Sequence, residues 1–280
     1  MKSNKKFIPI FDLDLKKMKK IFILLILSYS FLACKKVKNN NTSTNTNEKS
    51  DSTNCGNNPN INFSYIGKPI GKFAKCVTDI DGNSYKTIII GNQQWMAENL
   101  KVSRYNDGTI IPLIKEKKQW SFLKVAALCN YNFSETVNEN YGKYYNGYVV
   151  SMSSNNKNVC PSGWHIPSNK EWKILIDYLG GENVAGGKMK EIDTLHWKNP
   201  NFNASNISLF SGIPSGSVNI IGEFIFSLNS MWWSSTYVNL KVDTSHYDCN
   251  NYFYLSNDTQ EIYLDYRDWS DGMSIRCVKD

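Results

Sequence analysis

The sequence has few histidines and, outside its first 36 residues, no excess of either charge. Its three imidazoles, at His165, His196 and His246, are too dispersed for a histidine-rich metal site. The first 36 residues hold nine lysines and two aspartates, which account for the whole formal net charge of +7. The remaining residues balance, so no basic patch is left to meet a phosphate backbone, and binding to nucleic acid is not expected.

The N-terminal apolar segment is too short to cross a bilayer. It covers residues 21–32, whereas a spanning helix needs about 20 apolar residues. Lysines precede it and Ala33-Cys34 follows it, an arrangement that resembles the lipobox of exported bacterial lipoproteins. We therefore expect a signal peptide over residues 1–33, with Met18 as an alternative start, and lipid on Cys34. An uncleaved anchor helix is the alternative, and both place the rest of the chain outside the inner membrane.

The segment after Cys34 begins as a run of Asn, Ser, Thr and Lys with almost no apolar side chains. Such a composition cannot bury enough surface to offset the entropy of ordering it. We predict a flexible tether through residue 75 and one folded domain over residues 76–280. The membrane is then a partner through the lipid anchor, and the expected location is the cell envelope, at the outer membrane.

The start of the folded part is typical of antiparallel strands. Residues 78–90 predict a hairpin that turns at Asp81-Gly82, and residues 93–96 predict the next strand. The run from Asp79 to Asn83 matches half of a calcium loop. Ile90 stands where such a loop requires an acidic twelfth ligand, so we interpret the run as a turn.

One helix is strongly indicated. Ser168 and Glu171 form a capping box, apolar residues then recur with helical spacing from Trp172, and Gly180-Gly181 is typical of a C-cap. A second short helix is predicted over residues 183–192. Later strand-like runs cover residues 212–217, 231–236, 252–255, 261–266 and 274–278. Strands, then helices, then strands predict an α+β domain with antiparallel sheets and one or two short helices.

These segments carry a family resemblance. The runs CPSGWHIPS (160–168), VTDIDGNSYKTIIIGNQQWMAENL (77–100), WWSST (232–236) and SIRCV (274–278) resemble the motifs of the Fibrobacter succinogenes major paralogous domain family. The resemblance covers essentially the whole folded part and implies a C-type-lectin-like fold. It also implies a secreted or lipid-anchored bacterial protein whose activity is not defined by the motifs.

The resemblance suggests one enzyme class, the formylglycine-generating oxidases, which share the implied fold. Cys249 and Cys277 lie late in the chain, but the active-site run of that group is absent. No Gly-x-Ser-x-Gly elbow is present either, and His165 lies inside a motif where we expect a structural role. We therefore predict a protein that is not an enzyme and needs no cofactor and no metal.

Binding is the preferred function, with a polysaccharide or a surface protein as the partner. The calcium-lectin signatures Glu-Pro-Asn and Trp-Asn-Asp are absent, so calcium-dependent sugar binding is not expected. C-type-lectin-like folds present ligands from their later half, where Tyr263, Asp265, Arg267 and Trp269 alternate. On a strand these four residues share one face, and its mixed charge predicts exposure. The alternative is a structural or interaction module of the envelope, with the same residues forming an exposed salt bridge between shielding aromatics.

Six cysteines remain once the lipidated Cys34 is set aside, an even number that suits disulfides in an oxidising compartment. The resemblance implies a Cys160–Cys277 bond, because the first and last motifs each carry one cysteine. Three further pairings are open among Cys55, Cys76, Cys129 and Cys249. We prefer Cys55–Cys76 because these two are close in sequence.

Overall fold

The computed structural model describes residues 68–121, 123–136, 140–151, 157–192, 194–225, 228–242 and 245–280. The predicted signal peptide, Cys34, Cys55 and the tether up to residue 67 lie outside these ranges. Among the described residues, no helix is both long enough and apolar enough to cross a membrane.

The described part is an α+β domain in which short helices connect mainly antiparallel strands. The strands are β1 (Lys72–Thr78), β2 (Ser84–Ile90), β3 (Gln93–Met96), β4 (Leu113–Ile114), β5 (Leu128–Cys129), β6 (Tyr144–Asn146), β7 (Trp164–His165), β8 (Ser217–Val218), β9 (Phe224–Ile225), β10 (Asn229–Val242), β11 (Ser245–Ser256), β12 (Ile262–Asp268), β13 (Gly272–Met273) and β14 (Val278–Lys279). The helices are α1 (Lys117–Trp120), α2 (Gly147–Val150), α3 (Asn169–Tyr178) and α4 (Glu182–Met189), with a 3-10 turn at Tyr131–Phe133.

The predicted hairpin is confirmed as β1 and β2, with β3 as the next antiparallel strand. Asp79 explains the turn, because its carboxylate accepts the backbone N–H groups of Asp81 and Asn83 and the Tyr85 hydroxyl at 2.6 Å. Residues 79–83 therefore form the predicted turn. Strand β1 begins at Lys72, ahead of the predicted domain start at residue 76, because its first residues pair with the end of β2.

The described strands form three sheets. The first has the order β1-β2-β3-β14-β7, the second β10-β11-β12, and the third β4-β5-β6-β13-β8-β9. Within these sheets all strand pairings are antiparallel except that between β4 and β5. The two predicted strands at residues 231–236 and 252–255 belong to one long hairpin, β10 with β11, to which β12 adds as the third strand.

Two strand predictions are wrong in extent. Residues 274–277 do not form a strand: Ile275 and Cys277 accept hydrogen bonds from Leu100 and Met96, but the opposing residues 97–100 bend away and interrupt the ladder. The run 212–217 forms a strand only from Ser217 onward. Pro214 has no N–H to donate to a ladder, which accounts for the late start.

Helix α3 forms as predicted. The Ser168 hydroxyl accepts the Glu171 N–H, and the Glu171 carboxylate accepts the Ser168 N–H at 2.8 Å, so both halves of the capping box are present. Gly180 and Gly181 adopt φ of +104° and +93°, which glycine tolerates best, and they end the helix. The second predicted helix is α4, and it ends at Met189 rather than at residue 192.

The Cys160–Cys277 disulfide is confirmed and joins the segment before β7 to the segment before β14. Its two cysteines belong to a core that also contains Tyr145, Trp233 and Ile275. A second core, under α3 and α4, contains Trp95, Trp172 and Trp232. Both members of the Trp232-Trp233 pair are buried, one in each core, because they lie on opposite faces of β10.

Candidate functional site

The predicted ligand residues do lie along one side of β12, and we call the three on the strand (Tyr263, Asp265 and Arg267) the edge strip. Tyr263 stacks on Tyr254 with ring centroids 4.9 Å apart. Asp265 accepts the Tyr252 hydroxyl at 3.2 Å. These contacts follow from the register, which sets Tyr263 opposite Tyr254 and Asp265 opposite Tyr252. The edge strip therefore already contacts side chains of its own sheet.

The prediction that Trp269 is exposed is wrong. Trp269 follows the last residue of β12 and is only 9% exposed. Its indole N–H donates to Asn250 at 2.7 Å, and its ring meets Tyr148 and Tyr237 edge-on or tilted. The two tyrosine rings cover the indole, and the hydrogen bond to Asn250 satisfies its N–H, so the side chain is buried. Trp269 is therefore a packing residue.

The last motif supplies one of the two fully buried cations among the described residues. Arg276 is fully buried and lies over the rings of Phe210 and Trp232, at 4.3 and 5.2 Å from their centroids. Its guanidinium donates to the Asn99 side chain and to the Phe210 and Ser211 carbonyl oxygens. Burial lowers its pKa to about 9. Stacking and three acceptors replace the water that the cation loses, so this motif residue holds the interior together.

Lys190 is the second buried cation. Its ammonium donates to the carbonyl oxygens of Phe202, Ser256 and Thr259 at 2.8 to 3.0 Å. It also lies 5.5 Å from the Trp197 ring centroid. Three carbonyls match the three protons of an ammonium group, and burial lowers its pKa to about 8. Lys190 thus ties the loop at Phe202 to the turn between β11 and β12, and it has no donor left for a ligand.

His165 has the structural role expected of it. Its two ring nitrogens contact Asp280 and Glu171, each at 2.6 Å, and Glu171 is at the same time the capping residue of α3. Burial alone lowers the pKa of His165, but the hydrogen bonds with Asp280 and Glu171 raise it by more. The Ser168 hydroxyl donates to Glu171 and not to His165, so the cluster lacks the nucleophile-to-base contact of a hydrolase.

A concave feature lies elsewhere, on the third sheet. An open cavity of about 510 Å³ is lined by Lys117, Tyr131, Asn132, Phe133, Gly222, Glu223 and Phe224, and we call it the aromatic groove. The Phe224 ring stands 5.9 Å from Tyr131 and 5.2 Å from Phe133. The fully buried Tyr144 packs edge-on against Phe224 at 5.2 Å. Three rings supported by a buried tyrosine give the groove apolar walls.

One wall of the aromatic groove rests on an unusual backbone. Asn132 and Phe133 have φ of +50° and +53°, and a bulky residue in this left-handed region is a genuine outlier. The turn is held by hydrogen bonds from the Phe133 N–H to the Asn130 carbonyl and from the Ser134 N–H to the Tyr131 carbonyl. The turn holds Phe133 in the groove wall.

Another wall carries two charges. Lys117 and Glu223 form an ion pair of 2.8 Å, and each side chain is 54% exposed. The hydrogen bond with Lys117 is the main cause that lowers the pKa of Glu223. Gly222, with φ of +73°, lets the loop approach α1 so closely that a Cβ atom would lie 2.7 Å from the Lys117 carbonyl oxygen. Helix α1 and the loop therefore place an ammonium and a carboxylate beside the rings.

Other kinds of site have less support in the described ranges. No group of three or more His, Cys, Asp or Glu side chains there is placed to hold a metal ion. Cys129 and Cys249 are free, buried thiols, and burial raises the pKa of both. Neither is therefore paired in a disulfide, and neither is poised as a thiolate nucleophile.

The aromatic groove was missed from the sequence. Tyr131 and Phe133 lie far along the chain from Phe224, so no spacing rule connects them. Left-handed φ at Asn132 is common for that residue type, but the same conformation at Phe133 has no sequence signal. The single available clue was the glycine at 222 between apolar and acidic residues, which indicates a tight turn.

The fold and these sites define an α+β domain whose motif residues build the interior and whose described surface carries an open aromatic groove. The family description "Fibrobacter succinogenes major domain" matches residues 88–279, well over half of the chain. The chain therefore belongs to this family. No curated protein and no solved structure matches the chain.

Proposed function

We propose that the protein is an exported, lipid-anchored binding protein of the cell envelope that recognises a carbohydrate through the aromatic groove. The observation that carries the proposal is the combination of three aromatic walls with one ammonium and one carboxylate in a single concave surface. Small-ligand sites are concave, mainly apolar, and contain few polar groups that fix orientation. The aromatic groove has each of these properties.

Carbohydrate is the ligand class that fits this chemistry best. The C–H faces of a sugar ring pack on aromatic faces, and the hydroxyls need donors and acceptors at the rim. Lys117 donates and Glu223 accepts, and both line the same cavity as the three rings. An ion pair at 54% exposure exchanges partners at little cost, because an exposed pair contributes less than about 1 kcal/mol.

The edge strip is the weaker of the two carbohydrate candidates. Trp269 does not contribute an exposed ring to it, and Asp265 already accepts a hydrogen bond from Tyr252. The C-type-lectin-like fold and the lipid anchor at Cys34 are part of the proposal. They rest on the sequence motifs and not on the groove.

The test is affinity electrophoresis of the chain through gels that contain one polysaccharide each. Phe133→Gly removes a groove ring at a position where glycine suits the positive φ. Asn203→Gly makes the same kind of backbone change at another position of positive φ that does not line the groove, so it is the matched control. We expect the parent and Asn203→Gly to be retarded on the same polysaccharide, and Phe133→Gly to lose at least about tenfold in apparent affinity.

Tyr263→Ala is the second control, because it removes a ring from the edge strip. Retention lost in Tyr263→Ala but kept in Phe133→Gly would move the site to the edge strip. Absence of retention on every polysaccharide would favour the alternative function, a structural module of the envelope. The outer edge of β12, which pairs with no other described strand, is the observation that favours that alternative.

A further inference from the structure

The outer edge of β12 is open. Four consecutive residues, 264–267, are exposed, and Leu264 and Tyr266 are 51% and 47% exposed although both are large and apolar. In the second sheet β12 pairs only with β11 among the described strands. Proteins avoid long apolar edges because such edges pair with other strands. The free edge of β12, with its two exposed apolar side chains, is therefore a candidate for pairing with another strand.

The direction of the free backbone groups follows from one hydrogen bond. The Trp269 N–H donates to the Asp248 carbonyl, so this pair is a hydrogen-bonded one in the antiparallel ladder. Hydrogen-bonded pairs alternate along such a ladder. Residues 263, 265 and 267 therefore turn their backbone groups toward β11, and Leu264, Tyr266 and Asp268 turn theirs outward.

Helix α4 limits where a partner strand fits. The Gly187 N–H donates to the Gln260 carbonyl at 2.9 Å, and a Cβ atom on Gly186 would clash with the Glu261 carbonyl oxygen. The helix thus covers the start of the strand up to Ile262, which is buried. Only the stretch from Leu264 to Asp268 is accessible to another strand.

Charge then selects the partner. Asp265 and Arg267 flank Tyr266, so an antiparallel second copy centred on Tyr266 places Asp265 opposite Arg267 twice, once on each side of the axis. These are non-hydrogen-bonded pairs, in which facing side chains are closest. A strand that carries charges of one sign repels its own copy, whereas this one attracts it.

We propose that the protein self-associates through antiparallel pairing of β12 with β12 of a second copy, centred on Tyr266. The Tyr266 N–H, which now donates to its neighbour Asp265 at 2.8 Å, then bonds to the second copy's Tyr266 carbonyl. This change releases the Asp265 carboxylate to meet Arg267 of the second copy. The two Tyr266 rings and the two Leu264 side chains lie on the same face of the joined sheet. The proposal is independent of the carbohydrate site.

The test is cysteine crosslinking of the full chain in detergent. In the expected register, residue 265 of one copy lies about 4.5 Å in Cα distance from residue 267 of the other, which a disulfide can bridge. An equal mixture of Asp265→Cys and Arg267→Cys should give a disulfide-linked dimer with a mild oxidant. Each variant alone should give little, because identical positions do not face each other.

A charge exchange provides the second measurement without a new cysteine. Asp265→Lys alone and Arg267→Glu alone should each weaken sedimentation-detected self-association at least about fivefold. Their mixture should associate as the parent does, since the introduced lysine then faces the introduced glutamate, and Arg267 of one copy faces Asp265 of the other. The proposal would be overturned if the cysteine mixture gave no crosslink, or if the separate cysteine variants crosslinked as well as their mixture. It would also be overturned if the mixture of Asp265→Lys and Arg267→Glu remained monomeric.

Discussion

Two lysines show the difference between the interior of this domain and its aromatic groove. Lys190 is fully buried, and its ammonium group donates to three carbonyl oxygens. Lys117 is half exposed and shares one ion pair with Glu223 beside three aromatic rings. The first has no donor left for a ligand, while the second can exchange its partner. The buried lysine therefore has a structural role, and the exposed lysine beside the rings belongs to the proposed ligand site.

The sharpest way to break the interior is to remove its disulfide. The Cys160–Cys277 bond closes a loop with a sequence separation of 117 residues. In the chain-entropy model such a loop contributes about 4–5 kcal/mol. We expect Cys160→Ala with Cys277→Ala to lower the free energy of urea unfolding by about that amount. A loss below about 1 kcal/mol would contradict the structural role of this bond. Reduction of the parent also opens the disulfide of Cys76, so it should lower the free energy of unfolding at least as much.

Arg276→Met should lower the free energy of unfolding by about 3 kcal/mol or more. The substitution keeps an apolar chain between Phe210 and Trp232 but leaves the Phe210 and Ser211 carbonyl oxygens unpaired, at about 1–3 kcal/mol each. The Asn99 side-chain oxygen keeps its hydrogen bond from the Trp232 indole N–H. Urea unfolding measures the loss. Carbohydrate retention per folded molecule should not change, because the groove is formed by other residues. Unchanged stability would mean that the stacked cation contributes nothing to the fold.

Lys190→Met should lower the free energy of unfolding by about 2 kcal/mol at pH 7 and by more at higher pH. The folded-state pKa of Lys190 is lowered to about 8, below the ordinary value of 10.5. Between these values the unfolded chain binds more protons, so this group makes the parent more stable as the pH rises. The gap between parent and variant, measured by urea unfolding from about pH 7 to pH 10, should widen. A constant gap would contradict the lowered pKa.

His165→Gln should produce a smaller effect with the opposite pH dependence. The pKa of His165 is raised in the folded state, so its contribution is complete below about pH 6.5 and is lost as the pH rises through the folded value. Because the side chain is 37% exposed, the contribution is below about 1 kcal/mol. Thermal melts at about pH 5.5 and about pH 8.5 should differ for the parent more than for the variant.

The smallest change in stability is expected in the groove itself. Lys117→Met and Glu223→Gln each break an exposed ion pair, which costs less than about 1 kcal/mol. Both variants should melt within about two degrees of the parent and yet bind the retarding polysaccharide at least about fivefold more weakly. Lys118→Met is the matched control, since Lys118 is adjacent and does not line the groove. Equal loss of polysaccharide binding in Lys117→Met, Glu223→Gln and Lys118→Met would contradict a binding site in the aromatic groove.

The sequence predicted local structure well where one residue type determines it. The Ser168–Glu171 capping box, the Asp81-Gly82 turn and the family's Cys160–Cys277 pair all formed as expected. Alternation along β12 placed Tyr263, Asp265 and Arg267 together, but it could not show that Trp269 leaves the strand and is covered by two tyrosines.

The aromatic groove could not be predicted because it is assembled from distant segments. Phe224 reaches Tyr131 and Phe133 only after β9 and the 3-10 turn meet at the third sheet. The buried state of Arg276 was equally hidden, because its acceptors are two backbone carbonyls and the side chain of Asn99. Contacts between residues so far apart in sequence are determined by how the segments pack, and neither composition nor local spacing predicts them.

Hydrogen exchange with and without the retarding oligosaccharide is the decisive test of carbohydrate binding in the aromatic groove, because it locates the ligand on the chain. Amide exchange slows where a ligand covers or rigidifies the backbone. If the carbohydrate binds in the aromatic groove, exchange should slow in peptides that span residues 117–133 and 219–225, and it should be unchanged in residues 262–268. Protection confined to residues 262–268, or none in the two groove segments at saturating ligand, would contradict it.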